Sequence, residues 1–393
     1  MNPLNLLGFT LKIRVVLTGG GTGGHVFPLL AVADELQALQ EKNDFRLELY
    51  YIGPITGPVS FDPQLFEQKG IRVIPITGSS PANTNNPFEK FVSFLQNVSG
   101  FVQCLWHLWA IMPDTVFSKG GFGAVPVLGV SFLYRIPILI HESDAIPGKV
   151  NETSKKIASR IAVSFQKSAP YFPYERTAVV GTPTRKVFFE KQDKTNALDA
   201  FKFTPDLPVL FIYGGSQGAQ ALNELILDLL PQLVEKYQII HQCGTRNYPT
   251  VSQESDFMLK NNQYRDRYRL YGFMDEQQAH SAYTSADLIV SRAGSANIFE
   301  IAATRTPAIL IPFPYAAQDH QRENAYAYAS SGAAVVLEEG NVKPNILLDQ
   351  ITSLMQSDAK REAMRQAATE FAKPDAALTV AKELLVMSGA ELK

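Results

Sequence analysis

Cysteine is nearly absent: the chain of 393 residues carries two, Cys104 and Cys243, far apart in sequence. Two isolated thiols argue against a disulfide framework and point to a reducing compartment. Neither a C-x-x-C pair nor a Cys/His cluster occurs, so no structural zinc site is expected. Excess charge of one sign is also missing. Basic residues number 36 and acidic ones 38, a net of −2, which argues against nucleic acid as the main partner. The small positive surplus falls in the first half, the sign wanted of a surface that meets anionic lipid. The apolar start Leu4–Leu11 has no basic leader and no small-residue cleavage site, so no signal peptide is expected and the chain reads as cytoplasmic. The sequence contains no D-x-D. The carboxylate pair with which many sugar-nucleotide enzymes hold a metal is therefore missing, and the expectation is no protein-held metal and no other cofactor. Tandem repeats and low-complexity tracts are lacking as well.

What is present describes an ordered globular protein, with 46% apolar and 19% charged residues. The length exceeds what one hydrophobic core usually supports, so two domains are expected. From residue 11 to about 182, β-like runs at 13–17, 46–52, 71–76, 115–117, 137–141, 161–164 and 178–180 alternate with helical stretches. A second series follows, with strands near 209–213, 238–242, 268–271, 287–291, 307–311 and 334–337. Alternation of this kind predicts α/β architecture, parallel sheets with helices on both faces. Residues 183–204, with Pro183, several charges and few apolar side chains, read as the connection between the two. A helical stretch beginning near Pro374 ends the chain.

The run Leu17-Thr18-Gly19-Gly20-Gly21-Thr22-Gly23-Gly24-His25 organises the first half. An apolar strand leads in and an amphipathic helix from Val26 to about Leu39 leads out. Glycines let the backbone turn sharply and approach a ligand, and the N–H groups at the helix start favour an anion. Gly19, Gly21 and Gly24 satisfy G-x-G-x-x-G, but no carboxylate closes the second strand, Arg46–Gly53, which lowers the odds of a nicotinamide enzyme. A second strand, loop and helix unit occurs at Val209–Ala219, with Gly214-Gly215-Ser216-Gln217-Gly218. Two such units in two halves suggest two Rossmann-like domains facing a common cleft.

These motifs, Gly-Gly-Gly-Thr-Gly-Gly-His near the start and Gly-Gly-Ser-Gln-Gly-Ala midway, resemble those of the MurG family of GT-B glycosyltransferases, over nearly the whole chain. The resemblance implies an inverting transferase of peptidoglycan synthesis. It would move N-acetylglucosamine from UDP-N-acetylglucosamine to the 4-hydroxyl of the N-acetylmuramyl sugar of lipid I, giving lipid II. Residues 1–182 would form the acceptor and membrane-facing domain, 183–372 the UDP-sugar domain, and 373–393 a helix returning to the first. The expected location is the cytoplasmic face of the cell membrane, held peripherally.

The resemblance also implies site residues. Thr22, Gly23 and Gly24 belong to the first loop and Ser216 to the second. Ser295, Ala296, Asn297, Ile298, Phe299 and Glu300, opening a helix after Gly294, match the helix that binds the nucleotide sugar, with Glu300 at the ribose. Met274 matches the position whose backbone pairs with uracil. Gln321, with Asp319 or His320 helping, matches the segment that holds the sugar hydroxyls. Arg185 would neutralise charge developing on UDP. Asp144 stands where the family has asparagine and Phe122 where it has tyrosine, which alters the donor and acceptor contacts available. His25, at a helix start and with a pKa near working pH, is the candidate general base, with Glu142 and Asp144 as alternatives.

Residues 88–112 hold Phe88, Phe91, Phe94, Phe101, Trp106 and Trp109 and carry no formal charge from Phe91 to Met112. A span needs ~20 mostly apolar residues, yet Ser93, Gln96, Asn97, Ser99, Gly100, Gln103 and His107 interrupt this one. Three arrangements remain: a spanning helix, a wholly buried helix, and, as the resemblance implies, a helix with one face on the sheet and an aromatic edge on the bilayer. Two functional alternatives also stay open. One is another GT-B activity, a glycolipid synthase or a UDP-sugar epimerase. The other is a descendant that binds nucleotide sugar without turnover.

Overall fold

The computed structural model describes residues 11–20, 23–55, 62–77, 86–215 and 218–392. Most of the apolar start Leu4–Leu11, on which the absence of a signal peptide was argued, lies outside them, as do Thr22 and Ser216. The chain divides into two compact units, Met1–Arg185 with Asp375–Lys393, and Lys186–Pro374.

The first unit is built on a seven-stranded sheet, all of whose strand pairs are parallel. Its strands are β1 (Leu11–Thr18), β2 (Phe45–Gly53), β3 (Arg72–Pro75), β4 (Thr115–Ser118), β5 (Ile138–Glu142), β6 (Arg160–Val163) and β7 (Thr177–Val179). The helices are α1 (Gly23–Lys42), α2 (Gln64–Glu67), α3 (Pro87–Ile111), α4 (Val125–Leu133) and α5 (Lys149–Ser154). Strands such as Val15-Val16-Leu17 are buried on both sides, which is why they read as continuous apolar runs rather than alternating ones. One face packs on α1 through Leu29, Val32 and Leu36, the other on α3 and α4 through Cys104, Leu108, Val127 and Val130.

Strand order runs β3-β2-β1-β4-β5-β6-β7, so the winding reverses between β1 and β4. The carboxyl ends of those two strands mark the switch point, the position at which open α/β sheets bind their ligands. The glycine run follows β1, and Lys119-Gly120-Gly121 follows β4.

The second unit repeats the plan with six parallel strands in the order β10-β9-β8-β11-β12-β13. These are β8 (Val209–Tyr213), β9 (Gln238–Gln242), β10 (Tyr268–Tyr271), β11 (Leu288–Ser291), β12 (Ala308–Leu310) and β13 (Ala334–Val336). Around them lie α6 (Lys194–Asp199), α7 (Gln220–Lys236), α8 (Tyr248–Met258), α9 (Glu276–Ser285), α10 (Ser295–Ala303), α11 (His320–Ala329), α12 (Pro344–Met355) and α13 (Asp358–Phe371). Here the winding reverses between β8 and β11, which brings the second glycine loop beside the segment Arg292–Gly294.

The segment 183–204 is folded rather than a bare connection. Asp193 caps α6 by accepting from the Thr195 and Asn196 N–H groups, α6 packs on α9, and the buried Phe188 ring stands edge-on to Tyr283 at 5.5 Å. Its low apolar density concealed the few side chains that anchor it. The last helix, α14 (Ala376–Met387), packs on α1 and adds Val380, Ala381, Leu384 and Leu385 to the core of the first unit.

Helix α3 narrows the three arrangements. Asn86 caps it by accepting from the Phe88 N–H, and Met112 ends it in the left-handed conformation at φ 46°. Cys104 and Leu108 face the sheet, while Phe88, Phe91, Phe94, Val98, Phe101, Val102, Trp106 and Trp109 recur three or four apart and are exposed. Such spacing is one helical stripe. A wholly buried helix is therefore excluded, and among the described residues no helix is long and apolar enough to cross a membrane. Phe132 and Leu133 at the end of α4 are exposed too, and the Tyr134 hydroxyl donates to Leu105 O at 3.1 Å, tying that end to α3.

Candidate functional site

In the first unit the two loops at the switch point interlock. Gly121 has φ +81°, and a Cβ there would stand 3.1 Å from Gly20 Cα, so only glycine lets the loops meet. Gly23 and Gly24 open α1, whose N–H groups and dipole face the same crevice. His25 is half-buried in the first turn of α1, its ring against Gly20. Two residues further on, the Phe27 ring carries the Arg185 guanidinium at 4.2 Å, which anchors that cation beside the start of α1. Phe122 is exposed in a 3-10 turn just after Gly121.

Glu142 and Asp144 differ sharply. Glu142 is buried, and its carboxylate accepts from Asp144 N (2.9 Å), Gly148 N (3.0 Å) and Asn151 Nδ2 (2.9 Å). Burial and the neighbouring Asp144 push its pKa up to about 7, against the pull of those three donors. A carboxylate engaged on both oxygens holds the turn after β5 and has no face for substrate. Glu142 is thus removed from the candidate bases. Asp144 is half-exposed. Lys119, which follows β4, was not singled out in the sequence and is buried, and His141, expected with Glu142, Ser143 and Asp144 to line the crevice but given no role, is buried in β5.

In the second unit the described end of the glycine loop is closely packed. Gly218 has φ +78°, and a Cβ there would stand 2.2 Å from Cys243 O. The helix α10 begins at Ser295 after Gly294, which offers no side chain to the first N–H groups and has nothing within 4 Å of a Cβ position. Its start is therefore open to an anion. Asn297 lies half-buried with Nδ2 3.6 Å from the Cβ position of Gly215, so α10 and the glycine loop share one rim. Ala296 is half-buried beside it. Ile298 and Phe299 put their side chains in the core, Phe299 against Phe371 at 5.2 Å, which leaves any ligand contact to their backbone. Glu300 is buried and accepts from the Tyr283 hydroxyl at 3.3 Å.

Met274 is buried, and its N–H donates to Gln242 Oε1 at 3.2 Å. The same Gln242 carboxamide donates to Gly215 O at 3.4 Å, so it bridges the Met274 backbone to the glycine loop. Gln321 Oε1 accepts from Phe313 N at 3.0 Å, fixing the loop before α11 and leaving the NH2 end of that amide as its remaining donor. His320 Nδ1 is spent on Ala317 O at 2.5 Å, and Asp319, at φ +56°, pairs with Arg322 at 3.5 Å, so both serve the loop itself. Arg292 is buried, donates to Ile311 O at 3.1 Å and pairs with Glu339, locking the loop after β11 to the segments that follow β12 and β13. Among the described residues no group of three or more His, Cys, Asp or Glu side chains is placed to hold a metal ion.

Residues 15–163 match the glycosyltransferase family 28 N-terminal domain and residues 209–380 its C-terminal domain. Curated relatives include a UDP-N-acetylglucosamine–N-acetylmuramyl-(pentapeptide) pyrophosphoryl-undecaprenol N-acetylglucosamine transferase of Natranaerobius thermophilus. It is 32% identical over 95% of this chain and 99% of its own length. The enzyme of the same name from Shouchella clausii is 34% identical over 87% and 90%. Among solved structures, Acinetobacter baumannii MurG superposes with a TM-score of 0.69 at 26% identity, covering 95% of this chain and 99% of that one.

Proposed function

The chain belongs to glycosyltransferase family 28, and from that membership we propose that it transfers N-acetylglucosamine from UDP-N-acetylglucosamine to lipid I. The 4-hydroxyl of the N-acetylmuramyl sugar attacks the anomeric carbon, UDP leaves, configuration inverts, and a β-1,4 bond gives lipid II. The observation that carries the reading is its extent. Relatives named for this reaction stay above 30% identical over most of the chain, so both substrate-handling units are shared, not one nucleotide-binding half.

In this reading the second unit holds the donor. Met274 reads the uracil edge through its backbone, once Gln242 yields the N–H it now occupies. Glu300 accepts from the ribose hydroxyls. The open start of α10 at Ser295, Ala296 and Asn297, with the glycine loop and its Ser216, receives the diphosphate. The NH2 of Gln321 donates to a sugar hydroxyl. The first unit handles the acceptor: Thr22, Gly23 and Gly24 at the start of α1 favour its anionic diphosphate, and Asp144 accepts from a sugar hydroxyl. His25 takes the proton of the attacking hydroxyl, the positive end of α1 keeping it neutral beforehand. Arg185 offsets the charge that builds on UDP as the bond breaks.

The exposed stripe of α3 docks this unit on the cytoplasmic face of the membrane. The acceptor's polyprenyl chain stays in the bilayer, and aromatic rings at that depth give reversible attachment. The protein is thereby peripheral, not spanning.

The test is UDP release by the purified protein given UDP-N-acetylglucosamine, with and without lipid I. Release that depends on lipid I supports the transferase. Interconversion of the free nucleotide sugar without acceptor would make it an epimerase, and nucleotide binding with no turnover would make it a binding protein.

A further inference from the structure

Pro312-Phe313-Pro314-Tyr315 follows β12 and sets two aromatic side chains among prolines. Pro314 fixes its own φ and holds Phe313 extended, so the backbone that carries both rings is preset. The Ala316 N–H donates to Phe313 O at 3.3 Å. That bond closes a four-residue turn with Pro314 in the second position, where proline is favoured, and Tyr315 in the third. Beyond it the Asp319 N–H donates to Ala316 O at 3.0 Å, and the left-handed pair Gln318 and Asp319 turns the chain into α11.

Phe313 is held on three sides. Its N–H donates to Gln321 Oε1 at 3.0 Å. The guanidinium of Arg292 lies 5.5 Å from its ring centre, within the range of a cation–π contact, and Arg292 is itself buried and fixed by Ile311 O and Glu339. The Tyr315 ring meets it at 5.7 Å and 72°, the edge-to-face arrangement that ring quadrupoles favour. Tyr315, by contrast, is 84% exposed. A ring ordered by a proline turn and by a second ring loses side-chain freedom, and little burial offsets that cost until something covers it.

The surroundings say what covers it. Arg292 stands three residues before Ser295, where α10 starts with open N–H groups, and Asn324 Nδ2 donates to Ala293 O at 3.3 Å, tying α11 to the same segment. Phe313 thus lies between the residue that leads to the open helix start and the Gln321 amide. A sugar carried on a diphosphate bound at that helix start has its ring next to the phosphates. A pyranose has hydroxyls around its rim and C–H bonds on its faces, and those bonds suit the electron-rich face of an aromatic ring. An amide at the rim and a ring on the face is the division of labour of a ligand site, apolar surface with a few placed polar groups.

We propose that Phe313 and Tyr315 form an aromatic platform for the sugar ring of the donor, with Tyr315 supplying the stacking face and Phe313 directing it. This rests on the donor reading of the second unit and deepens it, since the other sugar contact named there, from Gln321, is a hydrogen bond. The platform acts on the sugar and not on the nucleotide, so its energy is absent when UDP binds alone.

The experiment compares native protein with Tyr315→Ala and Tyr315→Phe by calorimetry, using UDP and UDP-N-acetylglucosamine. The side chain is exposed in a surface turn, so neither change touches the core. Tyr315→Ala should weaken the sugar nucleotide roughly threefold to tenfold, the worth of one aromatic contact, and leave UDP unchanged. Tyr315→Phe keeps the ring and should bind both as native protein does. In NMR spectra of the bound donor, the ring current should shift the sugar C–H protons in native and Tyr315→Phe protein and not in Tyr315→Ala. Equal losses for both ligands in Tyr315→Ala, full affinity for the sugar nucleotide in that variant, or a loss in Tyr315→Phe would overturn the platform. Reduced sedimentation of Tyr315→Ala with phosphatidylglycerol vesicles at unchanged donor affinity would assign the ring to the membrane and overturn it too. Native protein that binds UDP-N-acetylglucosamine yet releases no UDP with lipid I would instead overturn the transferase reading and leave the platform standing.

Discussion

Replacing Trp106 and Trp109 together by Ser removes the two rings that α3 presents most fully near its end. They are 63% and 61% exposed and lie 5.5 Å apart, so they form one apolar patch. Of the ~250 Å² a tryptophan can bury, about 150 Å² per ring is open. Sinking half of that contributes ~2 kcal/mol per ring at ~25 cal/mol per Å². Loss of both should weaken attachment by ~3–4 kcal/mol, roughly a few hundred-fold in the partition constant. The assay is sedimentation with sucrose-loaded vesicles rich in phosphatidylglycerol, run beside transfer to full-length lipid I and to a short-chain, water-soluble analogue. Vesicle binding and transfer to lipid I should fall together while transfer to the soluble analogue survives. Equal losses on both acceptors would mean that the rings serve the fold of this unit, and unchanged sedimentation would refute the docking argument.

Other outcomes follow from the same geometry. Glu300→Ala should weaken UDP-sugar binding by ~1.5–3 kcal/mol, the worth of a charged acceptor, read by calorimetry on protein whose circular dichroism is native; unchanged affinity would detach Glu300 from the ribose. His25→Ala should cut kcat by ~10²–10⁴ with donor affinity kept, whereas lost UDP binding would mark a structural residue. Arg292→Leu strands the partly exposed Glu339 and should cost about 2–3 kcal/mol in urea unfolding, with no loss expected if the segments after β11, β12 and β13 are held by other contacts.

Much of this was legible before any coordinates. Strand positions followed from fully apolar runs such as 209–213, because a parallel sheet buried on both faces leaves little ambiguity. The two glycine loops announced the switch points, whereas the 88–112 run left three arrangements open until the exposure of its aromatic side chains was seen. The site was less legible where a side chain's role depends on what packs on it from far along the chain. Ser118-Lys119-Gly120 reads as a surface lysine until Gly19, a hundred residues earlier, is seen to make room for it. Glu142 looked as available as Asp144, since nothing in the sequence says that Gly148 and Asn151 turn back onto its carboxylate. Met274 was matched by position alone, and Gln242, which holds its N–H, comes from a different strand. His320 and Gln321 are adjacent in sequence, yet the left-handed turn at Gln318 and Asp319 spends one on the loop and leaves the other a donor.

The central claim is tested most directly by the product itself. Labelled UDP-N-acetylglucosamine and lipid I are incubated with the purified protein, and the lipid fraction is analysed by mass spectrometry and by NMR at the new anomeric centre. The account predicts a lipid heavier by one N-acetylhexosamine, joined β-1,4 to the muramyl sugar, with one UDP released per lipid converted. An α-linked product, label confined to an isomerised nucleotide sugar, or a lipid fraction without label would contradict it.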